Sequence, residues 1–220
     1  MFRLIEEILA PGEIAELQRI AESAKFVDGR ISNPHSTVKN NLHLHDEEAH
    51  KRCVQIIANA LVANEDFRNF AQPAQMAPPL LTRYDPQMRY GLHHDMALMP
   101  LGNQTLRADL SCTVFLDPPE SYDGGDLRIQ LGTEELRIKG RPGSAIVYPS
   151  HTLHEVEPVT RGRRLVGLTF IQSRIQDSHK RELLYELGEV AALEGTTMAP
   201  ENYTRLRAVE HNLRRLWADV

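Results

Sequence analysis

A chain of 220 residues with 41% hydrophobic and 25% charged residues carries enough apolar material for one full core, which excludes a disordered or fibrous protein. A net charge of -5, with acids and bases interspersed, leaves no single-sign field to attract nucleic acid or an anionic membrane surface. The two cysteines, Cys53 and Cys112, are far apart inside apolar runs rather than in a CxxC pair or a disulfide framework, which suits a reducing cytoplasm.

The opening stretch MFRLIEEILA has acids within its first apolar run, so it does not read as a secretory signal, and no run reaches membrane-spanning length. A soluble cytoplasmic protein is expected. Pro11-Gly12 followed by Ile14, Leu17, Ile20 and Ala21 at helical spacing predicts an amphipathic helix over 11–25. Turn residues at Gly29, Asn33-Pro34 and Asn40-Asn41 precede a short extended piece, NLHLH. A second helical pattern runs from Glu47 to about Phe70 and is ended by Pro73 to Pro79.

From Pro79 to Ser173 the period becomes that of strands. Eight runs follow: PLLTRY, RYGLHHD, ADLSCTVFLD, DLRIQL, EELRI, SAIVYPS, LHEVE and RRLVGLTFIQS, separated by turn-forming pieces such as DGGD and KGRPG. Eight short strands so punctuated predict an antiparallel sandwich, barrel or jelly roll. Two helical stretches close the chain, SHKRELLYELGEVAALE and ENYTRLRAVEHNLRRLWADV. The expected organisation is an N-terminal helical and mixed support region over 1–76, a β core over 77–174, and C-terminal helices over 175–220. Leu206, Val209, Leu213, Leu216 and Trp217 form an apolar stripe on the last helix, expected to pack on the β core, with a subunit contact as the alternative.

The chemistry is concentrated in Arg89-Tyr-Gly-Leu-His93-His94-Asp95. On a strand, residues i and i+2 share a face, so His93 and Asp95 point together while His94 points away. A second imidazole is available from His154, or from its rival His151, at the end of SAIVYPS. Two histidines and one carboxylate make a facial triad that leaves metal positions open for reaction. Arg164, ten residues beyond His154, shares a strand face with Val166, Leu168 and Phe170 and is expected to point inward. A buried guanidinium needs an anionic partner, and its fork suits a carboxylate.

The order Tyr90-x-x-His93-x-Asp95, Asp123-Gly-Gly-Asp126-Leu, Pro142-Gly143-Ser-Ala, His154 and Arg164 resembles the prolyl-hydroxylase-like Fe(II)/2-oxoglutarate dioxygenases. The segments VKNNLHL, RYGLHHDMAL, VYPSHTLHEVEPVTRGRR, TFIQS and HNLRRLWAD are more closely similar to the bacterial PKHD-type hydroxylases, over nearly the whole chain. The resemblance implies a mainly β fold with flanking helices, its core a double-stranded β-helix (jelly roll). It also implies Fe2+ held by His93, Asp95 and His154, 2-oxoglutarate bound at Arg164, and L-ascorbate as reductant. The implied reaction consumes O2 and hydroxylates an amino-acid-like group, prolyl, lysyl or related, with release of succinate and CO2. The partner is then a small-molecule or peptide substrate, in a homo-oligomer or a monomer, and bacterial relatives suggest a link to iron uptake. Animal prolyl hydroxylases use a tyrosine for 2-oxoglutarate where this chain has Phe115, so Tyr84 or Tyr148 is expected to take that part.

Two other readings compete: a cupin-like metal-binding or sensor module without turnover, and a zinc hydrolase. His43 and His45, with Asp46 and His50, offer a weaker second metal set that reads better as a polar strand edge. By resemblance, Asn40 and Asn41 are expected at the mouth of the substrate pocket. His94 is expected to face outward, and the acids of DGGD to be solvated beside glycines that supply the turn.

Overall fold

The computed structural model describes residues 1–219. Five helices, α1 (Pro11–Ser23), α2 (Glu47–Ala63), α3 (Glu65–Ala71), α4 (Ser178–Glu194) and α5 (Pro200–Trp217), flank a β core. All eight predicted runs are strands, and two antiparallel sheets are built from them. The larger orders its strands as Arg3–Ile5, Ala145–Pro149, Leu110–Phe115, Arg164–Ser173, Leu80–Tyr84, Leu42–Leu44 and Phe26–Asp28, with Pro73–Met76 also paired to Arg164–Ser173. The smaller runs Glu134–Ile138, Leu127–Leu131, His154–Val156, Arg89–His93 and Lys39–Asn40.

Period-2 alternation divides the apolar residues between two cores. Leu110, Cys112 and Val114, with Ala145, Val147, Leu165 and Ile171, face the helices and pack on Leu17, Ile57, Leu61 and Phe67. Their neighbours on the same strands, Phe115, Ile146, Tyr148 and Val166, face the smaller sheet and meet Tyr84, Leu127, Ile129 and Val156. Helices therefore cover one face of the larger sheet, and the other face closes the interior in which the candidate site lies. The free thiols of Cys53 and Cys112 are buried in the helix-side core.

Three local features depart from the sequence reading. The helical pattern from Glu47 breaks at Asn64, which is extended and whose Oδ1 accepts a hydrogen bond from Phe67 N at 2.9 Å, so that Asn64 starts α3 instead of continuing α2. A hairpin of Leu98–Leu101 and Gln104–Arg107, and the strands Arg3–Ile5, Phe26–Asp28 and Pro73–Met76, form where the sequence predicted no strand. The apolar stripe of α5 does not turn inward as a unit. Leu206, Leu213 and Trp217 are half-buried, but Val209 and Leu216 are exposed, and the buried position is Glu210. Its carboxylate is held by Arg207 and Arg214, and Arg214 also donates to Gln72 Oε1 at 2.8 Å. A buried carboxylate has to face its cations, and that requirement fixes the rotation of the helix. Among the described residues, no helix is long and apolar enough to cross a membrane.

Candidate active site

The strands Arg89–His93 and His154–Val156 are antiparallel neighbours, and His93 and His154 are directly opposed, with ring centroids 4.3 Å apart. Asp95 lies two residues beyond His93, tied by its backbone N–H to Ser150 O at 3.2 Å. One donor atom from each of His93, Asp95 and His154 falls within 4.8 Å of the others, a set that could hold a metal ion. His93 Nδ1 lies 2.8 Å from Gly91 O, and His154 Nδ1 lies 2.9 Å from Thr152 O. A carbonyl only accepts, so both Nδ1 atoms carry the proton and both Nε2 lone pairs are free. Those Nε2 atoms point at the two oxygens of one carboxylate, at 3.8 Å for His93 and 3.6 Å for His154. Burial and the neighbouring His154 push His93 down to about 3, so it is neutral and ready to ligate near neutral pH. Burial raises the Asp95 carboxyl, against the opposing pull of His154 and of Ser111. Ser111 Oγ donates to Asp95 Oδ2 at 2.6 Å, and Ser150 Oγ, 2.8 Å from Ser111 Oγ, completes the chain. Two imidazole nitrogens and a carboxylate suit Fe2+, and their second hydrogen bonds fix their orientation.

Deeper between the sheets, Arg164 is 1% exposed, and its Nε and Nη1 have no hydrogen-bond partner. It is paired in register with Tyr84 on the adjacent strand. Asn41 Nδ2 donates to the Tyr84 hydroxyl at 3.0 Å. Tyr148 is buried and stands edge-on to His154, centroids 5.1 Å apart. Phe115 lies in the same interior cluster. Gly125, at φ +67°, is packed so that an added Cβ would lie 3.1 Å from Arg164 Cδ and 2.9 Å from Val159 Cγ2, so glycine at this position leaves the room that the arginine stem fills.

Residues 79–172 match the family model of the 2OG-Fe(II) oxygenase superfamily. A PKHD-type hydroxylase of Sphingopyxis alaskensis is 58% identical over 217 residues, 99% of each chain. The chain belongs to the PKHD-type hydroxylases. It is a 2-oxoglutarate-dependent dioxygenase, and the expected jelly-roll class is the one its structural neighbours share. A Pseudomonas putida prolyl-4-hydroxylase superposes with a TM-score of 0.55 at 20% identity, over 79% of this chain and 92% of that one. A prolyl hydroxylase from Trichoplax adhaerens, solved with a hypoxia inducible factor peptide fragment, gives 0.59 at 14% identity over 83% and 86%. At such identities the likeness is one of fold.

Within this hydroxylase, the rival histidines fall away from the triad. His151 is exposed and lines a cleft on the outer side of Asp95 together with His94, Asp109 and Arg181. His94 is exposed as expected. His43 is buried and His45 exposed, and among the described residues neither belongs to a metal-ligand group. Asn41 is buried against Tyr84, whereas Asn40 is exposed. Asp123 is exposed and ion-paired to Arg161 at 2.7 Å, and Gly124 and Gly125 adopt positive φ. Three residues near the site escaped the sequence reading: Ser111, Tyr122 and Lys39. Ser111 shares one face of the strand Leu110–Phe115 with Thr113, opposite Leu110, Cys112 and Val114, and that polar and apolar alternation was its one signal. Tyr122 is buried beside Gly125, where burial raises its hydroxyl pKa and the charge of Arg164 opposes the rise.

Proposed function

We propose that this hydroxylase holds Fe2+ through Nε2 of His93, the carboxylate of Asp95 and Nε2 of His154, and grips the distal carboxylate of 2-oxoglutarate with Arg164. The observation that carries this reading is the pairing of two features of one interior: two proton-free Nε2 atoms aimed at a single carboxylate, and a buried guanidinium with unfilled donors. Bound iron with 2-oxoglutarate would supply O2-dependent oxidation of a C–H bond, with succinate and CO2 as co-products. The chain's own groups bind and orient. His93 and His154 keep their protons on Nδ1, Ser111 holds the Asp95 carboxylate in one rotamer, and Tyr84 and Tyr148 line the co-substrate space with buried hydroxyls. Arg164 is a binder and not a base, because its guanidinium keeps its proton.

The substrate we infer is an amino-acid-like group, prolyl, lysyl or related, with ascorbate returning the metal to Fe2+. Two buried free thiols support a reducing cytoplasm as the working compartment. Mixing the chain anaerobically with Fe2+ and 2-oxoglutarate should produce a visible charge-transfer band, and admitting O2 should yield succinate. A band without succinate in the presence of prolyl and lysyl peptides and free amino acids would remove that substrate class. Absence of both band and succinate would remove the metal and co-substrate assignment.

A further inference from the structure

Lys39 is a buried cation for which the chemistry so far has no use. The segment 39–44 passes from one sheet to the other: Lys39–Asn40 pairs with Arg89–His93, and Leu42–Leu44 pairs with Leu80–Tyr84. Lys39, Asn41 and His43 alternate along it and all three are buried. Lys39 is 8% exposed. It stands opposite Tyr90 in register, with Nζ 5.3 Å from the centre of the Tyr90 ring, and that ring stacks on His93 at 3.6 Å. The ammonium is thus one side chain removed from His93, and its charge reaches both His93 and Asp95.

An ammonium has three donors. Ser32 Oγ accepts one at 2.6 Å, and among the described residues no carboxylate forms an ion pair with Nζ. The two acids whose charge reaches Lys39 are engaged elsewhere. Asp28 is held by Arg30, whose Nε lies 2.9 Å from Oδ2, and Asp95 is held by Ser111 and faces the two imidazoles. Burying an ammonium without a counter-charge is costly, so the position calls for an anion from outside the chain. In the reading above, the distal carboxylate of 2-oxoglutarate goes to Arg164, and its 2-oxo acid end would be taken up by the metal, which would leave no carboxylate to spare.

We propose that Lys39 is a substrate-binding residue, and that the group to be hydroxylated belongs to a molecule presenting a carboxylate to Lys39 Nζ. The proposal deepens the oxygenase reading and rests on it for the identity of the second ligand. Ser32, which accepts from Lys39 Nζ, also lines an adjoining cleft of about 530 Å³ whose other walls include Ile31, His43, Asp46, Glu47 and Leu80. Lys39 is 8% exposed and Arg164 1%, so the lysine is the nearer of the two cations to solvent.

The test uses trifluoroacetate as a probe carboxylate, followed by its fluorine NMR line width on titration with the full chain. An Arg164→Met background removes the other anion site. The expected result is saturable binding that weakens at least tenfold in Lys39→Met, survives in Lys39→Arg, and is absent for the neutral trifluoroacetamide. Ser32→Ala, which leaves the charge in place, should weaken binding by less than Lys39→Met does. Thermal melting reports whether each variant is folded, and a misfolded Lys39→Met leaves the Lys39→Arg and trifluoroacetamide comparisons to decide. Equal binding by the Lys39→Met and parent chains, no saturable binding by the parent, or equal binding of the amide overturns the proposal. The readout needs neither iron nor turnover, so its failure is distinct from a failure to make succinate.

Discussion

Arg164 and Tyr84 face one another across adjacent antiparallel strands, the guanidinium carbon 5.0 Å from the centre of the phenol ring. The ring takes up part of a buried positive charge by a cation–π contact, but it offers no acceptor in place of the anion that two idle donors await. The proposed 2-oxoglutarate site requires such a guanidinium, left undercompensated in the free chain.

Removing that charge should separate stability from binding. Arg164→Met is expected to raise the melting temperature of the ligand-free chain by about 3 °C or more, because an unpaired buried charge is exchanged for an apolar stem. The same change should weaken 2-oxoglutarate by about a hundredfold, in keeping with the loss of one partner of a buried charge pair. Melting curves with and without 2-oxoglutarate read both effects, and a fall in the ligand-free melting temperature would contradict the account.

The hydroxyl of Ser111 touches Asp95 and should act only through it. Ser111→Ala is expected to cost about tenfold in Fe2+ affinity, measured by competition with a chelator, since groups that orient a metal ligand have effects of about 10–100-fold. Ser150→Ala, one bond further out, should cost less. An equal or larger loss from Ser150→Ala would mean that the chain of hydroxyls is ordered differently.

Histidine choice gives a sharper outcome. Alanine at His93 or His154 is expected to abolish stoichiometric Fe2+ binding, whereas His151→Ala and His94→Ala should bind one equivalent as before. Metal content after anaerobic loading and desalting decides between them.

Gly125→Ala should affect both fold and site. The backbone at φ +67° disfavours any side chain, and the added methyl would press on Arg164 Cδ and Val159 Cγ2. A destabilisation of about 1–3 kcal/mol is expected from the backbone alone. Half-saturation by 2-oxoglutarate should rise as well, because the arginine stem must move to make room.

The charge on Lys39 carries a pH signature. Burial pushes the ammonium down to about 8, against the upward pull of Asp95 and Asp28. Of the groups around it, His43 is pushed down to about 3 by burial and the Tyr90 phenol is raised by burial, so neither changes charge near pH 8. Trifluoroacetate should therefore bind below pH 8 and be lost as the pH rises through it. Lys39→Arg should bind with no such loss, since guanidinium keeps its proton throughout. A flat profile in the parent chain would remove Lys39 as the titrating group.

Local sequence determined side-chain direction within the long core strands. Alternation turned Arg164 inward with Val166, because side-chain direction on a strand is set by period 2 within a few residues, whereas Asp95 lies past the end of the strand Arg89–His93 and is held beside His93 by its bond to Ser150 O. The eight core strands were legible for the same reason. Asn64, Glu210, Ser111 and Lys39 were not, since each takes its meaning from a partner distant in the chain or from competition between local choices. Asn64 is ordinary inside a helical pattern until its side chain caps the next helix, and Glu210 reads as solvent-facing until Arg214, itself anchored on Gln72, turns it inward. Lys39 looks like any lysine before a turn. Only the pairing of its strand with Arg89–His93, which closes the smaller sheet, buries its ammonium beside Tyr90 and leaves it without an acid. Burial and charge compensation are properties of surfaces brought together, and the register between distant strands is what tertiary structure alone decides.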